Sequence, residues 1–348
     1  MSVASEDVEH VNSIKLEVCS DLYDRWKSEK SWFHNVPRKG IQTQVNYVDT
    51  RPEAGNDLPI ILCLHGAPGS HSDFSLLRDR LRDFPIRILC PNWPTYSLTK
   101  QKRFGHYAEE KASYILDLLK ALEIDRVDMV IAHSSSIYPS MMILESEIGS
   151  TIRALAFLNP CGHRRIQAMK YPLLDKSSAY FYQYKFFRFF IKHFGKPILI
   201  ITKCPVKLES MDNLFLSVTT VNHSHYKRLS EKLQKLGENK DIDKLMIFSE
   251  NDKLIQKEIF YEMGKMLGIE SNNMEVYDQN GSLVRSSEEN GYPKGIALQN
   301  GGHYAFINHA EVVNEAIAEM VEKTLLSTNE NDSGILVGST EEVEDDAD

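Results

Sequence analysis

The 348-residue chain nowhere has the run of roughly 18 apolar residues that a membrane-spanning helix needs, so no such helix is expected. Cysteine is scarce as well. Five residues, an odd count without paired short spacings, argue against a disulfide framework and for reduced thiols in a cytosolic or nuclear compartment, of which the cytoplasmic is the expected one. At the N-terminus, MSVASEDVEHVNSIKLEV carries acidic residues where a secretion signal needs a basic head and an apolar core, so export is not expected. The formal charge is −9, but the stretch from Ser327 to Asp348 holds eight acidic residues and no basic one, leaving a nearly neutral body. Nothing in that balance points to nucleic acid, and the tail reads as disordered. No His/Cys/Asp cluster has metal-ligand spacing, since His223 and His225 stand apart from other ligands, so neither a metal nor another cofactor is expected.

What is present is an alternation of apolar runs and helical patterns. Ile41, Thr43, Val45 and Tyr47 alternate as in a half-buried strand. Further apolar runs end at Leu64, Pro91, Ile131 and Leu158, and another begins near Leu245. Between them lie helix-like stretches, the clearest from His106 to Leu122 with Tyr114, Ile115, Leu118, Leu119 and Leu122 on one face. Residues up to about Asn35 also have helix-like spacing (Val11, Ile14, Leu16, Val18, Leu22, Trp26). The stretch SNNMEVYDQNGSLVRSSEENGYPKG reads as a long polar loop, followed by a short strand, a loop with His303 and a closing helix from about Ala310. Such an order predicts a doubly wound, mostly parallel α/β sheet. Ligands in these sheets sit beyond the carboxyl ends of the strands, where His65, Trp93, Ser134 and Asn159 fall.

One stretch, VDMVIAHSSSIYPSMM (Val127–Met142), passes from a buried strand to a helix through a turn too short for an ordinary loop. A sharp strand-to-helix turn with a central serine exposes that hydroxyl at the top of a sheet, usually within G-x-S-x-G. Here the turn is Ala132-His133-Ser134-Ser135-Ser136, with both glycines replaced: the Ala132 methyl is a small intrusion, and the Ser136 hydroxymethyl is either accommodated or tilts the helix. Ser134 is the candidate nucleophile, because centring the turn on Ser135 would put bulky His133 where there is little room. Acyl transfer also needs a base, an acid that orients the base, and oxyanion donors. Asp252 in SENDKLI follows a strand, and His303 in NGGHYAFINH sits in a loop whose glycines allow close approach. Singly, each residue has an ordinary explanation as a cap, a turn or a loop residue. Together, in the order Ser, Asp, His and at strand ends, they read as a triad. Backbone N–H groups of Ser135 and Ala67 are the expected oxyanion donors. The loop HGAPGSHS is not a phosphate cradle, because it does not fit G-x-x-x-x-G-K-[ST] and no lysine follows.

The motifs HGAPGSHSDF, IRILCPNWP, AHSSS, FLNPCGHRR, FSENDKLI and GGHYAFINHAE together resemble the α/β-hydrolase superfamily, and within it a poorly characterised, largely nematode group. The resemblance spans roughly Ile41 to Leu326. It implies an α/β-hydrolase fold with an inserted helical cap, the triad Ser134, Asp252 and His303, and oxyanion donors on Ala67 and Ser135. The expected division is an N-terminal helical extension over 1–35, a core over 36–160 and 244–326, a cap over 161–243, and a disordered acidic tail over 327–348. The expected function is a serine hydrolase cleaving an ester, thioester or amide of a small, partly apolar substrate. The alternative, motivated by Ala132 and Ser136, is a catalytically silent binding or scaffold protein. Within the cap, YFYQYKFFRFFIKHF reads either as a helix packing its aromatics onto the sheet rim with Lys185, Arg188 and Lys192 solvated, or as a surface helix touching a membrane. His163, Arg164 and Arg165 form a basic knot, read either as a solvated hinge or as an anion site. Protein partners are not readable.

Overall fold

The computed structural model describes residues 10–29, 37, 39–95, 104–169, 172–182, 184–191, 193, 211–224 and 226–327. The acidic stretch from 328 onward and the part of the aromatic and basic segment beyond 193 lie outside them. Among the described residues, ten strands form one sheet: β1 (Asn12–Val18), β2 (Ile41–Asp49), β3 (Ile60–Leu64), β4 (Arg87–Pro91), β5 (Met129–His133), β6 (Ala154–Leu158), β7 (Asp243–Ser249), β8 (Met274–Tyr277), β9 (Leu283–Arg285) and β10 (Lys294–Leu298). Their spatial order is β1-β2-β4-β3-β5-β6-β7-β10-β8-β9. The seven strands from β4 to β8 in that order run parallel, and antiparallel pairs finish both edges.

The central strands are apolar throughout because both sheet faces are covered. Alternate residues of β3 enter opposite layers: Ile60, Leu62 and Leu64 join one core, and Ile61 and Cys63 the other. Helices Ala108–Ala121, Ile137–Ile143, Tyr226–Glu238 and Lys257–Met266 cover the first face. Helices Ser75–Arg80 and Ala310–Met320 cover the second. A fork at the sheet's base joins β2 to β4, with Arg87 Nε and Nη2 donating to the two Asp49 oxygens at 3.0 and 2.7 Å, both side chains buried.

Three expectations need correction. Residues Asn12–Val18 are not helical. They form β1, paired antiparallel with β2 as Ile14↔Val45, Leu16↔Thr43 and Val18↔Ile41. Ile14, Leu16 and Val18 alternate with exposed Ser13, Lys15 and Glu17, a period of two that also satisfies a loose helical spacing. The helix that follows, Ser20–Ser28, is tied to the body, with Tyr23 Oη donating to Glu110 Oε1 at 2.8 Å and Cys19 N to Asp117 Oδ2 at 2.7 Å. These elements are thus part of the sheet layer rather than an extension. The long polar loop also contains β8 and β9, which bring backbone pairing more than burial. Finally, the helix Tyr226–Glu238, expected within the cap, sends Leu229, Leu233 and Leu236 into the main core. A separate small cluster is built by Ala179 and Tyr182 of Pro172–Tyr182 with Met211 and Phe215 of Met211–Asn222.

The aromatic segment does not pack onto the sheet rim. Its rings from Tyr180 to Phe190 are mostly exposed, Tyr182 being the buried exception. The basic knot is paired: Arg164 forms a two-point contact with Glu262 at 2.8 and 2.9 Å, His163 Nε2 lies 3.1 Å from the same carboxylate, and Arg165 donates to Met169 O. Among the described residues no helix is long and apolar enough to cross a membrane.

Candidate active site

Register brings the candidate residues together. Leu64 pairs with Ala132, His133 with Leu158, Leu158 with Ile247, and Leu298 with Ser249. The segments that begin just past these residues therefore emerge on one rim, carrying Ser134, Asn159, Asp252 and His303. β5 continues directly into a single turn, Ser134–Ser136, and the helix Ile137–Ile143. Ser134 sits at φ +54°, in the left-handed region that a residue with a side chain enters at a cost of about 1–3 kcal/mol. Strain of this kind persists only where its surroundings hold it. Here the Ser134 carbonyl accepts the Cys161 N–H at 3.0 Å, and both neighbours of the turn are buried.

Ser134 Oγ lies 2.9 Å from His303 Nε2, and His303 Nδ1 lies 2.7 Å from Asp252 Oδ2. An ionised carboxylate only accepts, so Nδ1 carries the ring proton and Nε2 accepts the Ser134 hydroxyl proton. Asp252 is buried and its carboxylate accepts three further hydrogen bonds that fix its orientation. Oδ2 accepts from Asn159 Nδ2 at 3.0 Å, and Oδ1 from the Leu254 and Ile255 N–H groups at 2.8 and 3.2 Å. Asn159 Nδ2 also donates to Gly302 O at 3.2 Å, which ties the carboxylate to the loop that carries His303. That loop is held from below by Asn251 Oδ1, which accepts the Gly301 and Gly302 N–H groups at 3.1 and 2.8 Å. Gly302 has φ +64°, a conformation that favours glycine. The positioning roles of Asn159 and Asn251 were not assigned from the sequence. The only signal was their place at strand ends, Asn159 directly before a proline.

His133 is buried beneath the site, its Nε2 donating to His303 O at 3.1 Å and its ring 4.7 Å from that of Phe306. Burial pushes its pKa well below the ordinary histidine value, so it is neutral packing with one hydrogen bond. Cys161 Sγ is 3.6 Å from Ser134 Oγ, and burial raises its thiol to about 12, which keeps it protonated.

The two crowding side chains are accommodated. Ala132 is fully buried in the main core. Ser136 Oγ donates a short hydrogen bond to His65 O and accepts from Trp93 Nε1 at 3.2 Å. Trp93 also donates Nε1 to His65 O at 2.7 Å and its backbone N–H to His65 Nε2 at 3.1 Å. With Nε2 accepting, His65 Nδ1 donates to Gly66 O at 2.7 Å, and burial depresses the ring to about 3, so it stays neutral. The hydroxymethyl that replaces the usual glycine is thus a strut between the turn, β3 and the segment after β4. Gly66 is where close approach is needed: a Cβ there would lie 2.8 Å from His133 Nδ1 and 3.0 Å from Ser134 Cβ. The segments bearing Ala67 and Ser135 are therefore in contact. The Ala67 carbonyl accepts Ser217 Oγ at 2.6 Å, which links this loop to the helix Met211–Asn222.

A buried lysine lies behind Trp93 that was not singled out in the sequence. Lys111 Nζ sits 4.9 Å from the centre of the Trp93 ring and 3.4 Å from Thr220 Oγ1, and burial lowers its pKa to about 7. Among the described residues, no three His, Cys, Asp or Glu side chains gather as metal ligands.

Three comparisons bear on this arrangement. The family described as "Alpha/beta hydrolase of unknown function (DUF1057)" matches residues 30–322. An uncharacterized protein of Caenorhabditis elegans, F35H12.5, is 29% identical over 86 residues, a stretch covering 24% of this chain and 24% of that protein. Among solved structures, a thermophilic esterase from Thermogutta terrifontis is similar with a TM-score of 0.52 at 14% identity, covering 90% of this chain and 99% of its own. An enol-lactonase from Burkholderia xenovorans LB400 is similar with a TM-score of 0.52 at 12% identity, covering 80% of this chain and 96% of its own. At such identities the likeness is one of fold.

Proposed function

The chain belongs to this α/β-hydrolase family of unknown function, and from that premise we propose that it is a serine hydrolase working through an acyl-enzyme. The observation that carries the reading is the unbroken path from Ser134 Oγ to His303 Nε2 and from His303 Nδ1 to Asp252 Oδ2, at 2.9 and 2.7 Å. Ser134 attacks the acyl carbonyl of an ester, thioester or amide while His303 takes its proton. Asp252 holds the ring in the tautomer that leaves Nε2 free to accept, and stabilises the imidazolium that forms. The developing oxyanion is received by the N–H groups of Ala67 and Ser135. His303 then returns the proton to the leaving group, and water repeats the sequence in reverse to free the acid. The Ser136 strut supports this reading over a silent scaffold, because the side chain that replaces glycine is bonded into the turn rather than displacing it.

The cap in this reading consists of Pro172–Tyr182 and Met211–Asn222, held together by their small buried apolar cluster, and the acyl group of the substrate is taken to be apolar. The described cysteines, Cys19, Cys63, Cys90 and Cys161, are buried free thiols, in keeping with a cytoplasmic enzyme.

A fluorophosphonate probe tests the proposal. Folded protein is expected to label, and heat-denatured protein and a folded Ser134→Ala variant are not. Absence of labelling in folded wild-type protein refutes it.

A further inference from the structure

Twelve large apolar side chains are exposed among the described residues, and seven of them, all aromatic, fall between Tyr180 and Phe190 with exposures from 37% to 66%. Residues 185–191 are helical. Phe186, Phe189 and Phe190 follow the i, i+3, i+4 spacing that puts side chains on one helix face. The Phe186 and Phe190 rings pack against each other at 4.9 Å and still remain exposed. A soluble surface rarely leaves so many aromatic rings together in water, since each keeps apolar area that burial would stabilise at roughly 25 cal/mol per Å².

Charge identifies what would cover them. From Lys176 to Leu208 the sequence has seven Lys or Arg residues and no Asp or Glu, within a chain whose formal charge is −9. Lys185 is exposed beside the aromatic face. Arg188 turns inward, donating Nε to Tyr182 O at 3.1 Å and standing over the Tyr182 ring, so it anchors the helix. Tyr182 is itself stacked on Phe215 at 3.9 Å and donates to Asp212 Oδ1 at 2.8 Å, which gives the exposed rings a rigid base. Aromatic rings interleaved with cationic side chains suit the boundary between lipid headgroups and acyl chains, where the rings enter and the cations meet anionic lipid.

We propose that the aromatic face of residues 180–193 is a peripheral docking surface for an anionic lipid bilayer. It lies on the bilayer without spanning it, and it stands whether or not Ser134 is a nucleophile. The face joins the candidate site through Phe215 and Ser217 on the same helix, the latter bonded to Ala67 O.

Flotation of the full-length protein with large unilamellar vesicles tests this. Binding is expected to phosphatidylcholine vesicles containing phosphatidylserine, weaker binding to phosphatidylcholine alone, and weakening with added salt. The triple variant Phe186→Ser, Phe187→Ser, Phe189→Ser changes only exposed rings and is expected to keep its circular dichroism spectrum. Its partitioning into phosphatidylserine vesicles should fall on the order of a hundredfold. Lys185→Glu with Lys176→Glu, both exposed, should remove the preference for phosphatidylserine. Wild-type protein that fails to float with anionic vesicles overturns the proposal, as does a triple variant that binds equally well. A wild-type dimer that the triple variant dissolves, without vesicle binding, overturns it in favour of a second copy of the chain.

Discussion

Replacing Lys111 by methionine should make the protein more stable. The ammonium is fully buried, and among the described residues it meets the Trp93 ring at 4.9 Å and Thr220 Oγ1 at 3.4 Å and forms no ion pair with a carboxylate that would offset its desolvation. Burial dominates the lowering of its pKa to about 7, and the Cys161 thiol acts weakly the other way. Against about 10.4 in an unfolded chain, with about 1.4 kcal/mol per unit, the folded state carries a penalty on the order of 4 kcal/mol at pH 7. The direction with pH follows from proton counts. Below pH 7 both states hold the proton and the penalty is full. Between about 7 and 10.4 the unfolded chain still binds a proton that the folded chain has shed, so stability rises with pH and the penalty fades. Methionine has similar length and fills irregular space, but it gives up the ring contact and one long hydrogen bond. The expected net gain is about 2–4 kcal/mol at pH 7, shrinking towards zero near pH 10. Urea unfolding of both proteins across that range measures it, because other titrations cancel in the difference. A variant no more stable at pH 7, or a difference that does not change with pH, refutes the reasoning.

Three other substitutions probe the site and its support. Asp252→Asn should leave the fold intact but lower fluorophosphonate labelling on the order of a thousandfold, because an amide lets His303 adopt the wrong tautomer; an unchanged labelling rate would remove Asp252 from the reaction. Ser136→Ala should cost about 1–2 kcal/mol in denaturant unfolding, since the His65 carbonyl loses one donor while Trp93 Nε1 keeps it as partner. No change there would mean the strut is idle. Asp49→Ala strands the buried Arg87 guanidinium and should cost about 3–5 kcal/mol, against less than about 1 kcal/mol if water reaches the site.

The central sheet was legible because both of its faces are buried, so strands such as Ile60–Leu64 are apolar without interruption and end abruptly at His65. The rim followed from those ends, and Ser134, Asp252 and His303 were singled out because their order is constrained even when their distances are unknown. The edges were less readable. Ile14, Leu16 and Val18 satisfy two periods at once, and only pairing with β2 decides between them. β8 and β9 gain their identity from backbone hydrogen bonds, which leave no apolar pattern. Lys111 and Glu110 look like solvated helix residues, yet both are buried, Glu110 with its pKa raised to about 7 by that burial. The effect of Ser136 was left open for a different reason: volume is visible in a sequence, whereas a hydrogen-bond partner supplied by Trp93 is not.

The place of β10 in the sheet has a consequence in time. It lies between β7 and β8, although it is made after both. A nascent chain that has emerged only as far as Tyr277 holds two strands whose shared neighbour does not yet exist, and their hydrogen-bonding edges stay open. Closing that gap requires distant segments to meet, which slows folding. His303 follows immediately behind β10, so the last strand to lock the sheet also delivers the histidine, and a half-made protein would hold a strained serine with no imidazole beside it.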